Sequence, residues 1–294
     1  MTKKLKIISA LILIVIVVIL IVKNLPIRLI HLSPLSALVN QTTKTQDIPA
    51  PVNDYYTFTI TKNDAGEEIA QKFGTENVAT IIKLNRINSQ FIEKGEVLTI
   101  PNDMSDFMNL SPFPYQLSVV APIPKVLLFS QRVQAFGVYE YGELKRWGPI
   151  SSGKESTQTP SKLYFANWKS KESISTVDPE WILKWNFNLD NLKGIDMHEY
   201  ELPGYPASHS CVRMFGRDAK WIYYWADQWR LSNNEETLLK YGTPVILFGG
   251  YEYSQTAPWK NLPTNAQATT LTKEEIEKEI TKYIPEIIEK KHLK

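Results

Sequence analysis

The sequence predicts a mainly β domain of sandwich-like architecture, joined to a small α+β unit and headed by one apolar helix. Three observations carry this. Between Gln116 and Gly250, short runs rich in Val, Ile, Phe, Tyr and Trp alternate with turn residues. Between Tyr56 and Pro101 the pattern reads strand, helix, helix, strand. Ile7 to Val22 is sixteen residues, nearly all Ile, Leu and Val, behind Lys3, Lys4 and Lys6.

The apolar run is at the short end for a membrane-spanning helix, and no small-x-small cleavage site follows Val22. An uncleaved anchor is therefore expected over a cleaved signal. The leading lysines favour the N-terminus inside and the rest of the chain outside the cytoplasm. Pro26, Pro34, Pro49 and Pro51 mark the next stretch as a linker.

In the small unit, Tyr56-Thr57-Phe58-Thr59-Ile60 alternates as a strand should. Asn63 or Asp64 can cap a helix that carries Ile69, Ala70 and Phe73 and ends at Gly74. Val78, Ile81, Ile82 and Leu84 share a face of a second helix, and Gly95 to Pro101 reads as a turn and a strand. In the large domain, strands are expected at Lys125–Phe129, Arg132–Tyr139, Leu144–Ile150, Leu163–Trp168, Trp185–Leu189 and Pro244–Phe248. Asp218 is placed to cap a helix with Trp221, Trp225 and Trp229 on one face, which reads as core packing. Lys169 to Trp181 reads as a loop. Thr272 and Glu275 form a capping-box signal for a charged C-terminal helix, which Pro285 should kink or restart.

The division that follows is 1–24 for a cytoplasmic tip and membrane anchor, 25–54 for a linker and 55–102 for the small unit. A second linker spans 103–115, the large domain 116–250, and a C-terminal extension 251–294. The chain has 294 residues, 43% of them apolar, enough for a sizeable core. A net charge of +2 gives no electrostatic case for a nucleic-acid partner.

Chemistry concentrates at the only cysteine, Cys211, in Ser208-His209-Ser210-Cys211-Val212-Arg213-Met214. A cysteine nucleophile needs a thiolate, so a neighbouring histidine or cation should lower the thiol pKa. His209 lies two residues away and would share a face with Cys211 on a strand. His198 returns to Cys211 if Glu201 to Pro206 forms a looping excursion, which Pro203, Gly204 and Pro206 favour. Arg213 is placed to hold a carboxylate or stabilise negative charge. Backbone N–H groups around Ser210 and Cys211 are oxyanion-hole candidates. His198, His209 and Cys211 lack a fourth zinc ligand, and no glycines cluster to cradle a phosphate, so neither metal nor cofactor is expected.

The run from His198 through Ser208-His209-Ser210-Cys211-Val212-Arg213 resembles the active-site signature of the L,D-transpeptidases, the YkuD-type catalytic domain. Ser151-Ser152-Gly153, Thr159-Pro160, Asp218 and Gly242-Thr243-Pro244 resemble its flanking landmarks. Two departures stand out: Ser210 replaces a glycine, and Glu199 replaces a small residue. Tyr56, Ile69, Ala70, Phe73, Ile82, Leu84, Asn85, Leu98, Ile100 and Pro101 resemble a LysM module, with Asn63-Asp64-Ala65 in place of its Gly-Asp-Thr. The first resemblance implies the L,D-transpeptidase fold and acyl transfer on peptidoglycan stem peptides through a thioester on Cys211. It also implies His198 as base, His209 as an orienting or polarising group and Arg213 as a positioning residue. Ser208, Ser210 and the backbone of Glu199 would complete the site. The second implies binding of peptidoglycan glycan strands. Together with the apolar helix they imply a single-pass membrane protein with its catalytic domain on the wall side. Two alternatives stay open: a carboxypeptidase or cross-link hydrolase with the same nucleophile, and an inactive wall-binding protein.

Overall fold

The computed structural model describes residues 54–175 and 178–291. The expected anchor and nearly all of the first linker lie outside the described residues. Among the described residues no helix is long and apolar enough to cross a membrane.

The small unit pairs β1 (Tyr55–Thr59) antiparallel with β2 (Val97–Pro101), with Tyr55 opposite Pro101. Between them lie α1 (Ala65–Phe73) and α2 (Val78–Leu84). Asp64 is the N-cap of α1, its carboxylate accepting from the Glu67 N–H, and Gly74 ends the helix at φ 90°. Ile60, Ile69, Ile81, Leu98 and Ile100 close a core of their own.

The large domain begins with β3 (Val126–Ser130), β4 (Ala135–Glu140) and β5 (Glu143–Ser151). The β4–β5 turn puts Tyr141 and Gly142 at φ 49° and 83°, the backbone a two-residue hairpin needs to match strand twist. Next come β6 (Leu163–Phe165), β7 (Lys169–Ile174), β8 (Ile182–Asp190), β9 (Ile195–Glu199) and β10 (Val212–Met214). Helix α3 (Gly216–Trp225), the small pair β11 (Arg230–Leu231) and β12 (Leu238–Lys240), and β13 (Pro244–Phe248) complete it.

The expected sandwich is built from one sheet, in the order β6-β13-β3-β4-β5-β10-β9-β8-β7. Leu127, Phe129, Phe136 and Val138 from its first half share a core with Phe187, Met197, Val212 and Met214 from its second half. The sheet therefore curls around its own side chains. β3 is buried at every position because its other face, Val126 and Leu128, joins a second core with Tyr139 and Trp147. That second core is closed by α4 (Lys273–Ile280) and α5 (Ile284–Lys291), through Ile276, Ile280 and Ile287. Thr272 caps α4 by accepting from the Glu275 N–H at 3.1 Å, and the chain restarts at Pro285.

Four expectations are corrected. Lys169–Ile174 is a strand, paired with β8, and not a loop. The N-cap of α3 is Phe215, while Asp218 sits fully buried inside the first turn. Trp229 lies beyond α3, and Trp221 and Trp225 flank it half-buried, because Asp218, Ala219 and Ile222 form its inner face. Residues 103–115 are packed: Phe107 stacks on Trp147 with ring centroids 4.2 Å apart, and Leu110 and Phe113 are buried.

Candidate active site

The site is made by one parallel strand pair. β9 and β10 run side by side with Arg213 opposite His198. A parallel neighbour needs a crossover, and here residues 200–211 supply it without a helix. The excursion is pinned at each step. The Tyr200 N–H donates to Met214 O at 3.1 Å. Asn88, from the small unit, donates its N–H to Leu202 O and accepts from the Leu202 N–H, both at 2.8 Å. Ser151 donates to Tyr205 O at 2.8 Å and accepts from the Ala207 N–H at 3.0 Å. The Ser208 N–H donates to Ser152 O and the Lys154 N–H to Ser208 O, each at 3.0 Å. Gly153 holds this cradle tight, since a Cβ there would lie 2.0 Å from Thr157 O.

His198, Tyr200, His209, Cys211 and Arg213 line a common pocket of about 30 Å³, together with Trp181. Ser208 belongs to it as well, donating its hydroxyl to Cys211 O at 2.5 Å. The Arg213 guanidinium lies 4.5 Å from the Tyr200 ring centroid. The half-buried Cys211 thiol lies 3.5 Å from Gly194 O. The two departures in the signature sit outside the pocket lining. The Ser210 hydroxyl turns to Thr157 O at 3.1 Å. The Glu199 side chain packs at Gly216, where a Cβ would meet its carboxylate at 2.8 Å, and only its backbone serves the site.

His198 is buried, with Nδ1 2.9 Å from Glu199 O. A carbonyl only accepts, so Nδ1 carries the proton and Nε2 keeps its lone pair. Burial, aided by the charge of Arg213, lowers the His198 pKa to about 4 against the pull of that hydrogen bond. Burial likewise pushes the Cys211 thiol up to about 11, more than the Arg213 charge offsets. The expectation of an acidified thiol is thus reversed at rest: a neutral thiol and a neutral imidazole line the same pocket. The His209 pKa is also lowered, by burial first and then by Lys154 and Arg213.

Sequence reasoning missed Lys154, whose Nζ lies 3.1 Å from His209 Nε2. The signal was available, because Lys154 directly follows the Ser151-Ser152-Gly153 landmark. Trp181, whose ring centroid is 5.8 Å from that of His209, gave none. Among the described residues no three His, Cys, Asp or Glu side chains are grouped to hold a metal ion.

Residues 124–247 match the YkuD family, the L,D-transpeptidase catalytic domain. Residues 58–101 match the LysM domain. The chain therefore carries a segment matching an L,D-transpeptidase catalytic domain and, ahead of it, a segment matching a LysM domain. Solved structures similar to it include an L,D-transpeptidase from Mycobacterium smegmatis, at 20% identity and TM-score 0.34, covering 43% of this chain and 59% of that one. Another, from Stackebrandtia nassauensis, has 19% identity and TM-score 0.35, covering 44% and 57%. L,D-transpeptidase 3 from Mycobacterium tuberculosis has 19% identity and TM-score 0.33, covering 43% and 61%. The chain thus spans about three fifths of the length of these structures. No curated protein matches it.

Proposed function

We propose that this chain is a cysteine L,D-transpeptidase acting on peptidoglycan stem peptides, tethered to the membrane by its N-terminal apolar segment and facing the wall. The carrying observation is the His198 hydrogen bond to Glu199 O, which leaves Nε2 as a base in the pocket that holds Cys211.

On this reading His198 Nε2 takes the thiol proton as Cys211 Sγ attacks the carbonyl between the third and fourth stem residues. Because thiol and imidazole are both neutral at rest, the proton moves during attack. The tetrahedral oxyanion collapses to a thioester, and the His198 proton goes to the departing amine of the terminal D-alanine. An acceptor amine then attacks the thioester and gives its proton to His198, which passes it to the departing Cys211 thiolate and restores the neutral pair. Arg213, fixed against Tyr200, offers a cation to a substrate carboxylate. The LysM domain holds the glycan strand.

The test is incubation of the purified chain with stem tetrapeptides and mass analysis of protein and products. An acyl adduct on Cys211 and peptide dimers are expected. Tripeptide alone would mean that water is the acceptor. The Cys211→Ala variant is expected to give neither adduct nor product, and activity retained in it would refute the assignment.

A further inference from the structure

The two histidines of the pocket are held by opposite ring nitrogens. His198 is tied through Nδ1 to a carbonyl. His209 is tied through Nε2 to the Lys154 ammonium. An ammonium has only donors to offer, so Nε2 of His209 must present its lone pair. The ring is then neutral, with its proton on Nδ1. That atom is buried and has no hydrogen-bond partner among the described residues. A buried donor without an acceptor is costly, so this N–H calls for an acceptor from water, an ion or a bound substrate.

The arrangement is stiff. Lys154 and His209 sit on the two backbones locked by the Lys154 N–H to Ser208 O bond. The Trp181 ring packs near the imidazole, its centroid 5.8 Å away. Nε2 is taken, so His209 cannot receive the thiol proton, and that task falls to His198. What His209 retains is an N–H, two residues from Cys211 and in the same pocket. Lys154 and Arg213 add two positive charges acting on it, while Asp196, the carboxylate that acts on Cys211, has its own pKa raised by burial. Such a field favours an oxygen on which negative charge is growing.

We propose that Lys154 locks His209 in the Nδ1–H tautomer, and that this N–H donates to the acyl oxygen as Cys211 attacks. Lys154 is a positioning residue and His209 a catalytic oxyanion donor. The oxyanion role rests on the acyl-transfer reading above; the tautomer does not.

The test joins a spectrum to a rate. Two-bond proton–nitrogen NMR on the nitrogen-15-labelled full chain reports the His209 tautomer, assigned by the signal lost in His209→Asn. The wild type should show Nδ1–H. Lys154→Met should give a mixture or the opposite tautomer, and Lys154→Arg should keep the wild-type form. In acylation of Cys211 by a stem tetrapeptide, Lys154→Met should lose roughly 10- to 100-fold in kcat with KM little changed. Lys154→Arg should recover most of that rate. An Nε2–H tautomer in the wild type overturns the proposal. So does a Lys154→Met effect confined to KM, or none, in a preparation whose wild type acylates. A wild type that never acylates removes the acyl-transfer reading and the oxyanion role together, whatever tautomer is found.

Discussion

Ser210 sits at φ 81°, where a side chain crowds its own backbone and glycine does not. This is the physical content of the Gly-to-Ser departure in the signature. The position is tolerated because the hydroxyl donates to Thr157 O and the flanking backbones are locked. Ser210→Ala keeps the strain and loses that bond, whereas Ser210→Gly loses both. Glycine's extra freedom in the unfolded chain returns part of the gain. We expect Ser210→Gly to be more stable than Ser210→Ala by about 1 kcal/mol, read from thermal unfolding of the two. His198 carries a second prediction. Its pKa in the fold is about 4, below the 6.5 of an exposed histidine, so the fold favours the neutral ring. The stability this confers is present above pH 6.5 and is lost as pH falls toward 4. The loss should reach about 2–3 kcal/mol, seen in urea unfolding at pH 7 and 4.5 and absent in His198→Gln.

Helix α3 shows how an element can be predicted with the wrong duties. Its position was readable, since Asp218 and the tryptophans mark a helix near Gly216–Trp225. Its faces were not, because aromatic spacing does not say which side meets the sheet. Trp221 and Trp225 stack on each other at 5.7 Å and carry cations on their rings, Arg146 over Trp221 and Lys125 over Trp225. The buried duty falls to Asp218, between Arg146 at 2.5 Å and Lys83 at 2.9 Å. Lys83 belongs to α2, so this carboxylate joins the LysM domain to the catalytic domain. Removing it leaves two half-desolvated cations facing each other. Asp218→Ala should cost about 3 kcal/mol in chemical denaturation, somewhat under a fully buried pair because both partners reach solvent. A loss below about 1 kcal/mol would show that the network is incidental.

Over the described residues as a whole, the catalytic domain is supported by segments outside its matched range of 124–247. The LysM domain supplies Asn88 to the loop before Cys211 and Lys83 to Asp218. It also supplies Arg86, buried, whose Nε donates to Val133 O at 3.2 Å and whose guanidinium lies 4.7 Å from the Trp259 ring. The C-terminal extension brings Trp259, the helices α4 and α5, and Tyr253, which donates to Gly153 O at 2.7 Å beneath the Lys154 cradle. Arg132 grips Glu275 of α4 through two nitrogens, at 2.8 and 3.0 Å. The mixed charge of α4 and α5 leaves both a solvated and a docked helix open in the sequence, and in the structure the isoleucine stripe docks. Composition cannot tell a solvated stripe from one with a partner waiting elsewhere in the chain.

Local physics determined much of this protein from the sequence alone. The Asp64 and Thr272 caps, the Gly74 stop, the Pro285 restart and β13 each depend on a few neighbouring residues, and each stands where it was expected. The grouping of His198, His209, Cys211 and Arg213 was legible for the same reason: one short excursion separates the two histidines. Only the tertiary structure decided the single curled sheet, the parallel register that sets Arg213 beside His198, and the contact between Lys154 and His209. It also reversed the expected acidity of Cys211, because desolvation depends on everything packed around a thiol and outweighs one nearby cation. These outcomes rest on residues far apart in the chain, and spacing along a sequence carries no information about which distant surfaces exclude water from one another.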